Sequence, residues 1–295
     1  MSLVLSVPDP ADAASHERFE AVASAAAAVD GYRPFNEQAM LDLSAGRRTP
    51  LLITAQGTAV GAALVGRGEL DLVITPAHRG LGHAGEALRD ILAEAPDQLT
   101  AWSHGDHPAA RVLANRFRFA AARTLLQLRK PMTDAAEAAP VAGAAPRGRV
   151  SIDAFRPGAD DEEWVILNAL VFAHHPEQGA LTGLDLTARQ GEPWFDPGDF
   201  LIARDATGRM IGYIWLKIEG DGKVGEIYVV GVDPDAAGRG LGRTLLQAGL
   251  ERLRERGCTS AALYVEAHNA PAVHLYRSLG FTDYTVDVQY LRLAD

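Results

Sequence analysis

Residues 226–253 read EIYVVGVDPDAAGRGLGRTLLQAGLERL, a strand-like run that stops near Pro234 and passes through a glycine-rich turn into a helical pattern. The leucines that follow Leu246 at i+4 and i+7 are typical of a helix with one apolar face. A glycine turn that opens a helix leaves several backbone N–H groups unpaired and pointing the same way, which makes an anion site. Arg239 and Arg243 add positive charge, so this segment favours a pyrophosphate ligand.

The N-terminal half repeats this pattern. Arg79-Gly80-Leu81-Gly82 follows a strand-like run and precedes a helical pattern, as Arg239-Gly240-Leu241-Gly242 does. Flanking strand pairs and strand–helix stretches also correspond between the halves, at 50–66 with 200–218 and at 102–119 with 264–281. An isolated glycine loop often makes only a tight turn, but the same loop in the same context twice indicates a functional site in a repeated fold.

The segment 131–149 is rich in proline and small residues and has no hydrophobic periodicity, which predicts a linker. We therefore expect an N-terminal domain at 1–130 and a C-terminal domain at 150–295, each large enough for its own core. The predicted fold class is α/β, with two tandem domains that each contain a mixed, mostly antiparallel sheet flanked by helices.

Charge and composition exclude several classes of function. The formal net charge is −10 and the pI is about 5.4, so the long-range field disfavours nucleic acid and anionic membranes. The chain has no apolar run of membrane-spanning length, and its first ten residues lack the basic start of a signal peptide. We expect a cytoplasmic, monomeric protein that acts on small molecules.

Two motifs resemble the GNAT acetyltransferase superfamily. Residues 237–242 are similar to its R/Q-x-x-G-x-G/A loop, loosely at the start and well at the end, and 269–281 resemble its N-x-x-A-x-x-L-Y-x-x-x-G-F segment. The resemblance implies acetyl-CoA as cosubstrate and direct transfer of its acetyl group to an amine. Because it covers both halves, it also implies two tandem GNAT-like folds.

Three strings, at 175–179, 226–234 and 264–266, resemble a tandem subfamily of GNAT enzymes more closely. That resemblance implies the cysteinyl amine of a cysteine–glucosamine–inositol conjugate as the acceptor. Two alternatives stay open: a tandem acetyltransferase for another primary amine, such as an aminoglycoside or a protein N-terminus, and a CoA-binding sensor without turnover.

The resemblance implies two groups of acetyl-CoA contacts. Those in the C-terminal half are Val230, Gly231, Val232, Ala237, Gly238, Arg239, Gly240, Leu241, Gly242, Arg243, Asn269 and His274. Those in the N-terminal half are Leu72, Val73, Ile74, Arg79, Gly80 and Gly82. Asn269 also begins a helix, and capping alone would explain it.

Two residues at family-matched positions are the predicted catalytic groups. Glu226 lies on the strand before the loop, where a carboxylate can take the proton of the acceptor ammonium. Tyr276 is placed to protonate the departing CoA thiolate. The alternatives are a solvated carboxylate for Glu226 and a helix residue that packs beside Phe281 for Tyr276.

The N-terminal copy lacks both groups. Counting back from Phe119 and Pro76, as from Phe281 and Pro234, places Ala114 at the position of Tyr276 and Gly68 at that of Glu226. We therefore expect this copy to be catalytically degenerate, with CoA binding still open and a role in closing the acceptor cleft.

The predicted acceptor contacts are Glu37, Glu177, Lys217, Glu226 and Tyr264. The alternatives are an exposed helix carboxylate for Glu37, a loop carboxylate for Glu177, a surface lysine for Lys217 and a half-buried strand aromatic for Tyr264.

We expect no metal site. The one histidine pair, in His174-His175-Pro176-Glu177, has no third ligand at a recognisable spacing. The single cysteine, Cys258, excludes an internal disulfide and has no adjacent base, so we do not expect it to act as a nucleophile.

Overall fold

The computed structural model describes residues 3–9, 12–94, 98–132, 150–174 and 178–292. The strands are β1 (Leu3–Ser6), β2 (Thr49–Ala55), β3 (Thr58–Gly66), β4 (Glu69–Ile74), β5 (Leu99–Ser103), β6 (Phe119–Pro131), β7 (Ser151–Ala154), β8 (Phe200–Arg204), β9 (Met210–Ile218), β10 (Val224–Val232), β11 (Ser260–Glu266) and β12 (Thr282–Arg292). The helices are α1 (Ala13–Asp30), α2 (Glu37–Ser44), α3 (His83–Glu94), α4 (Pro108–Arg116), α5 (Asp161–Val171), α6 (Gly183–Gln190), α7 (Leu241–Glu255) and α8 (Ala270–Ser278).

The chain forms two compact units. The N-terminal unit combines 1–126 with 266–268 and 285–295, and the C-terminal unit combines 127–265 with 269–284. Strands β6 and β12 therefore contribute residues to both units. Most of the predicted linker lies outside the described residues, although its first residue, Pro131, ends β6. The division into domains at 1–130 and 150–295 thus stays a prediction.

The N-terminal unit has the strand order β1-β2-β3-β4-β5-β12. Strands β4 and β5 are parallel, and the pairs β1–β2, β2–β3, β3–β4 and β5–β12 are antiparallel. Side chains of β3 alternate between its two faces. Ala62 and Leu64 pack in one cluster with Phe19 of α1, whereas Ala63 packs in another with Leu88 of α3. Helices therefore cover both faces of this sheet.

The C-terminal unit has the strand order β6-β11-β10-β9-β8-β7. Strands β10 and β11 are parallel, and the pairs β7–β8, β8–β9 and β9–β10 are antiparallel. Strand β9 is buried along almost its whole length, which explains its nearly continuous apolar sequence. Tyr213 and Trp215 belong to an aromatic core with Trp164 of α5, and the alternate residues Ile214 and Leu216 lie against Gly249 of α7. The predicted mixed, mostly antiparallel α/β architecture is confirmed.

Candidate active site

Strands β10 and β11 run side by side for only part of their length. They pair in parallel from Val224 with Ser260 to Ile227 with Leu263, while β10 stays paired with β9 out to Val232. An irregularity in the β9–β10 register lies between Ile227 and Val229. Along the described length of β10, its pairing with β11 ends at Ile227, so the edge from Val230 to Val232 has backbone groups that β11 does not use. The role of this edge in binding acetyl-CoA stays a prediction.

The glycine loop ends where α7 begins. Gly240 is the N-cap of α7 and has φ of 86°, and Gly238 has φ of 74°, both in the left-handed region that favours glycine. The first amides of this helix, at Leu241, Gly242 and Arg243, have no carbonyl of a preceding turn to bond, and they carry the positive end of the helix dipole. These are the features that a pyrophosphate requires.

Two arginines accompany this helix start. Arg239 is exposed, and within the part of the chain that the structure describes it makes no hydrogen bond or ion pair. Arg243 donates to the hydroxyl of Ser278 at 2.8 Å, which ties α7 to α8. A Cβ built on Gly242 would lie 3.6 Å from Leu275 of α8, so the helices pack closely at this point. The predicted CoA residues from Val230 to Val232 and from Ala237 to Arg243 therefore lie at one strand end and one helix start, whereas Asn269 and His274 belong to α8.

Tyr276 lies on α8 with only 8% of its surface exposed, and its ring packs edge-on against Phe281 at a centroid distance of 6.1 Å. Burial raises the pKa of Tyr276 to about 12. Its hydroxyl finds no hydrogen-bond partner among the described residues, so the proton is available to a ligand. Tyr276 thus packs beside Phe281, as the structural alternative expected, and this packing leaves its hydroxyl group free to take part in a reaction.

Glu226 is half-buried on β10, directly opposite Lys217 of β9 in the antiparallel register. Lys217 is not a surface lysine, because only 7% of its side chain is exposed. Its ammonium lies 3.3 Å from the Glu219 carboxylate and above the rings of Trp194 and Tyr228. Trp194 and Tyr228 are not among the predicted site residues, because their contact with Lys217 is tertiary and no local sequence pattern indicates it.

The other predicted residues are dispersed. Tyr264 lies on β11 with 42% of its surface exposed, and its hydroxyl accepts a bond from the Gln127 amide at 2.9 Å. Asn269 caps α8 by accepting from the amide of Ala272 at 3.2 Å, and His274 is exposed on that helix. Glu37 begins α2 in the N-terminal unit. Glu177 lies outside the described residues.

The N-terminal loop has a different local structure. Arg79 donates two bonds of 2.7 Å to the carboxylate of Asp30 and a third, of 3.0 Å, to the carbonyl of Ile74. Helix α3 begins at His83, after Gly80 and Gly82, both of which have positive φ. The guanidinium of Arg79 is therefore already bound to a carboxylate. Leu72, Val73 and Ile74, the other CoA residues predicted for this half, lie on β4.

The described residues contain neither a candidate metal-binding group nor a helix that could span a membrane. No three His, Cys, Asp or Glu side chains there come together in a group that could hold a metal ion. In the same residues, no helix is both long and apolar enough to cross a membrane.

Comparison with known proteins places this fold and site in a class. Residues 168–281 match the model of the acetyltransferase (GNAT) family, and this range includes the splayed strands, the glycine loop and Tyr276. A tandem GNAT protein from the clavulanic acid biosynthesis pathway has a TM-score of 0.72 at 18% identity, with 98% of each chain covered. A GCN5-related N-acetyltransferase from Sphaerobacter thermophilus has a TM-score of 0.69 at 24% identity, covering 99% of this chain and 97% of that one. The fold is a tandem GNAT fold.

Sequence relatives identify the family within this class. A mycothiol acetyltransferase of Clavibacter sepedonicus is 51% identical over 92% of this chain and 90% of its own. Another, of Thermomonospora curvata, is 46% identical over 92% of this chain and 91% of its own. The chain belongs to the mycothiol acetyltransferase family.

Proposed function

We propose that this protein transfers the acetyl group of acetyl-CoA to the cysteinyl amine of a cysteine–glucosamine–inositol conjugate, the last step of mycothiol biosynthesis. One observation carries the proposal: a strand edge with available backbone groups, an α7 N-terminus preceded by glycines at positive φ, and the buried Tyr276 all occur in the C-terminal unit. Membership of the mycothiol acetyltransferase family supports this acceptor.

Acetyl-CoA binding uses this unit's backbone. The first amides of α7 and the exposed Arg239 bind the pyrophosphate, and the β10 edge from Val230 to Val232 binds the pantetheine arm and the thioester oxygen. The structure fits these roles because the loop leaves room for the ligand: a Cβ on Gly238 would find no protein atom within 4 Å.

The reaction requires a neutral amine and a stabilised leaving group. Glu226, half-buried on β10, removes the proton of the ammonium directly or through a water molecule. The amine nitrogen then attacks the thioester carbon, the C–N bond forms, the C–S bond breaks, and the nitrogen gives up its extra proton to water as the amide forms. Tyr276 donates a hydrogen bond to the sulfur. Because a thiol has a pKa near 8.5 and Tyr276 has one of about 12, the leaving group is stabilised as a hydrogen-bonded thiolate.

A covalent acyl-enzyme is not required. Cys258 is buried, and burial raises the pKa of its thiol, which disfavours the nucleophilic thiolate. The acetyl group therefore passes directly between the two substrates in a ternary complex.

Acceptor recognition assigns polar side chains to the sugar, the inositol and the ammonium. Lys217 and Tyr264 donate to hydroxyl oxygens, and Glu226, Glu37 and Glu177 accept from hydroxyl or ammonium groups. The N-terminal unit does not catalyse transfer, because Ala114 and Gly68 stand at the positions of Tyr276 and Glu226. We expect the protein to act as a monomer in the cytoplasm.

An acetyl-CoA-dependent assay of CoA release, with mass detection of the product, tests this function. The cysteinyl conjugate, an aminoglycoside and a peptide amine are compared as acceptors at equal concentration. We expect acetylation of the cysteinyl conjugate alone. Release of CoA only with another amine would contradict the proposed acceptor but not the proposed mechanism. A lack of turnover with every amine would favour a CoA-binding sensor.

A further inference from the structure

The ammonium of Lys217 is enclosed by aromatic rings. Its Nζ lies 5.0 Å from the ring centroid of Trp194 and 5.6 Å from that of Tyr228, and the Glu219 carboxylate is 3.3 Å away. An ammonium group taken out of water is costly unless opposite charge or aromatic faces replace the lost hydration. We call Trp194, Tyr228 and Glu219 the lysine cradle, because together they replace that hydration.

Both rings of the cradle are held by further contacts. Trp194 is 8% exposed and lies 5.7 Å from Trp215 and 5.2 Å from Tyr228, measured between ring centroids. The hydroxyl of Tyr228 accepts a 3.0 Å hydrogen bond from Nε of Arg189, whose Nη1 donates to a carbonyl of its own helix, α6. Neither ring can turn without losing these contacts, so Lys217 has few conformations available.

The cradle adjoins the predicted base. Lys217 and Glu226 are direct partners in the β9–β10 register, and directly opposed residues of antiparallel strands project from the same face with Cβ atoms about 4.5–5.5 Å apart. A fixed ammonium at this position donates hydrogen bonds in defined directions, which lowers the entropy cost of binding a hydroxyl-rich ligand.

We propose that Trp194 and Tyr228, the latter held by Arg189, are positioning residues that fix the ammonium of Lys217 beside Glu226 for the hydroxyl groups of a polyol acceptor. The proposal rests on the proposed function, because it concerns the acceptor side of that same site. None of the three residues needs to touch the reacting atoms. They act through Lys217, and their removal should weaken acceptor binding without changing the acetyl-CoA site.

Substitutions of Trp194 in the full-length protein test this role. Trp194→Phe keeps a weaker aromatic face and Trp194→Leu keeps none, so the KM for the cysteinyl conjugate should rise about threefold and about tenfold, respectively. The KM for acetyl-CoA should stay within twofold. Trp164→Phe is the matched control, because Trp164 is a fully buried tryptophan of the same core whose ring contacts are with other aromatic residues.

Two further measurements keep the test decisive. Tyr228→Phe and Arg189→Gln break one hydrogen bond from opposite sides and should raise the acceptor KM equally, by about threefold; they also serve if Trp194→Leu is unstable. In a Lys217→Met background, Trp194→Phe should have no further effect on that KM.

Three results would overturn the positioning role: a Trp194 effect that persists in Lys217→Met, an equal rise in both KM values, or an equal effect of Trp164→Phe. A wild-type protein that is inactive with the cysteinyl conjugate would instead contradict the proposed function, and the positioning role with it.

Discussion

The two units carry the same tetrapeptide, Arg-Gly-Leu-Gly, and fold it differently. In the C-terminal unit α7 begins at Leu241, directly after Gly240, whereas in the N-terminal unit α3 begins at His83, two positions later in the repeat. The glycines with positive φ also stand at different positions of the repeat. They are Gly238 and Gly240 in the C-terminal copy, and Gly80 and Gly82, the counterparts of Gly240 and Gly242, in the N-terminal copy. His78 stands where the C-terminal copy has Gly238, and a histidine adopts positive φ only at a cost. The same tetrapeptide therefore does not place the backbone N–H groups of the helix start in the same way in the two copies.

The loop arginines differ in the same sense. Arg79 is paired with Asp30 in a two-bond ion pair, whereas Arg239 is exposed and, in the described residues, has no partner. A guanidinium that already binds a carboxylate must give up those bonds before it can bind a phosphate. In the N-terminal copy, Arg79 is thus present but makes a structural ion pair within its own unit.

The two sheets differ near the point where the pairing of the parallel strands ends, after Leu70 in β4 and after Ile227 in β10. Asp71 of β4 is in the position of Val229 of β10, counting from Pro76 and Pro234. It is almost fully buried and lies 2.8 Å from the guanidinium of Arg48; burial raises the pKa of this carboxyl, and Arg48 opposes that rise. The N-terminal sheet therefore has a buried ion pair where the C-terminal sheet has a hydrophobic residue.

The largest effect is expected from Tyr276, which the N-terminal copy replaces with alanine. Tyr276→Phe keeps the packing against Phe281 and removes the donor to the thiolate, so kcat should fall about 100-fold or more while the Kd of acetyl-CoA stays within twofold. Steady-state kinetics and calorimetric titration measure the two quantities. Tyr284→Phe, at an exposed tyrosine, is the control. A kcat within threefold of wild type would remove Tyr276 from the mechanism.

A somewhat smaller effect is expected from Glu226. Glu226→Gln removes the base and keeps the shape, so kcat/KM for the acceptor should fall about 100-fold at neutral pH. Glu69→Gln is the matched control, because Glu69 adjoins Gly68, the counterpart of Glu226, and it should change kcat/KM less than twofold. Equal losses in the two variants would indicate that the N-terminal unit also takes part in the chemistry.

Asp287 should affect stability and not activity. Its carboxylate accepts from the amide of Gly105 at 2.9 Å and bonds Nδ1 of His104 at 2.9 Å, all within the N-terminal unit. Asp287→Ala should lower the free energy of unfolding by about 1–3 kcal/mol and leave kcat within twofold. Denaturant unfolding is the measurement, and Asp283→Ala, at an exposed carboxylate on the same strand, should cost less than about 1 kcal/mol. A large loss of kcat in folded Asp287→Ala would contradict a purely structural role.

The smallest effect concerns pH. A raised pKa keeps the hydroxyl of Tyr276 protonated until the pH approaches about 12, so its ionisation should not lower kcat between pH 8 and 10. A profile of kcat against pH for wild type and Tyr276→Phe checks this. A descending limb near pH 10 that is present in wild type and missing in Tyr276→Phe would show that the hydroxyl ionises at its ordinary pKa.

Local patterns predicted most of the elements that build the site. The leucine spacing predicted α7, and the turn residues placed the strand pairs β2–β3 and β8–β9. The contacts by which the N-terminal copy differs from the C-terminal copy could not be predicted from local patterns, because they join residues that are far apart in the sequence. Arg79 and Asp30 are 49 residues apart and His104 and Asp287 are 183 apart, so no periodicity relates them. The lysine cradle was not predicted for the same reason, because Trp194 contacts Lys217 only in the folded chain.

The most direct test of unequal copies compares Arg239→Gln with Arg79→Gln in one assay. The quantity is the KM for acetyl-CoA, measured by CoA release with the cysteinyl conjugate at saturation. Arg239→Gln should raise this KM about tenfold, because it removes a charge-assisted contact to phosphate, and Arg79→Gln should change it less than twofold. An equal rise in both variants, or a larger one in Arg79→Gln, would contradict the proposal that the C-terminal copy binds the acetyl-CoA used in catalysis.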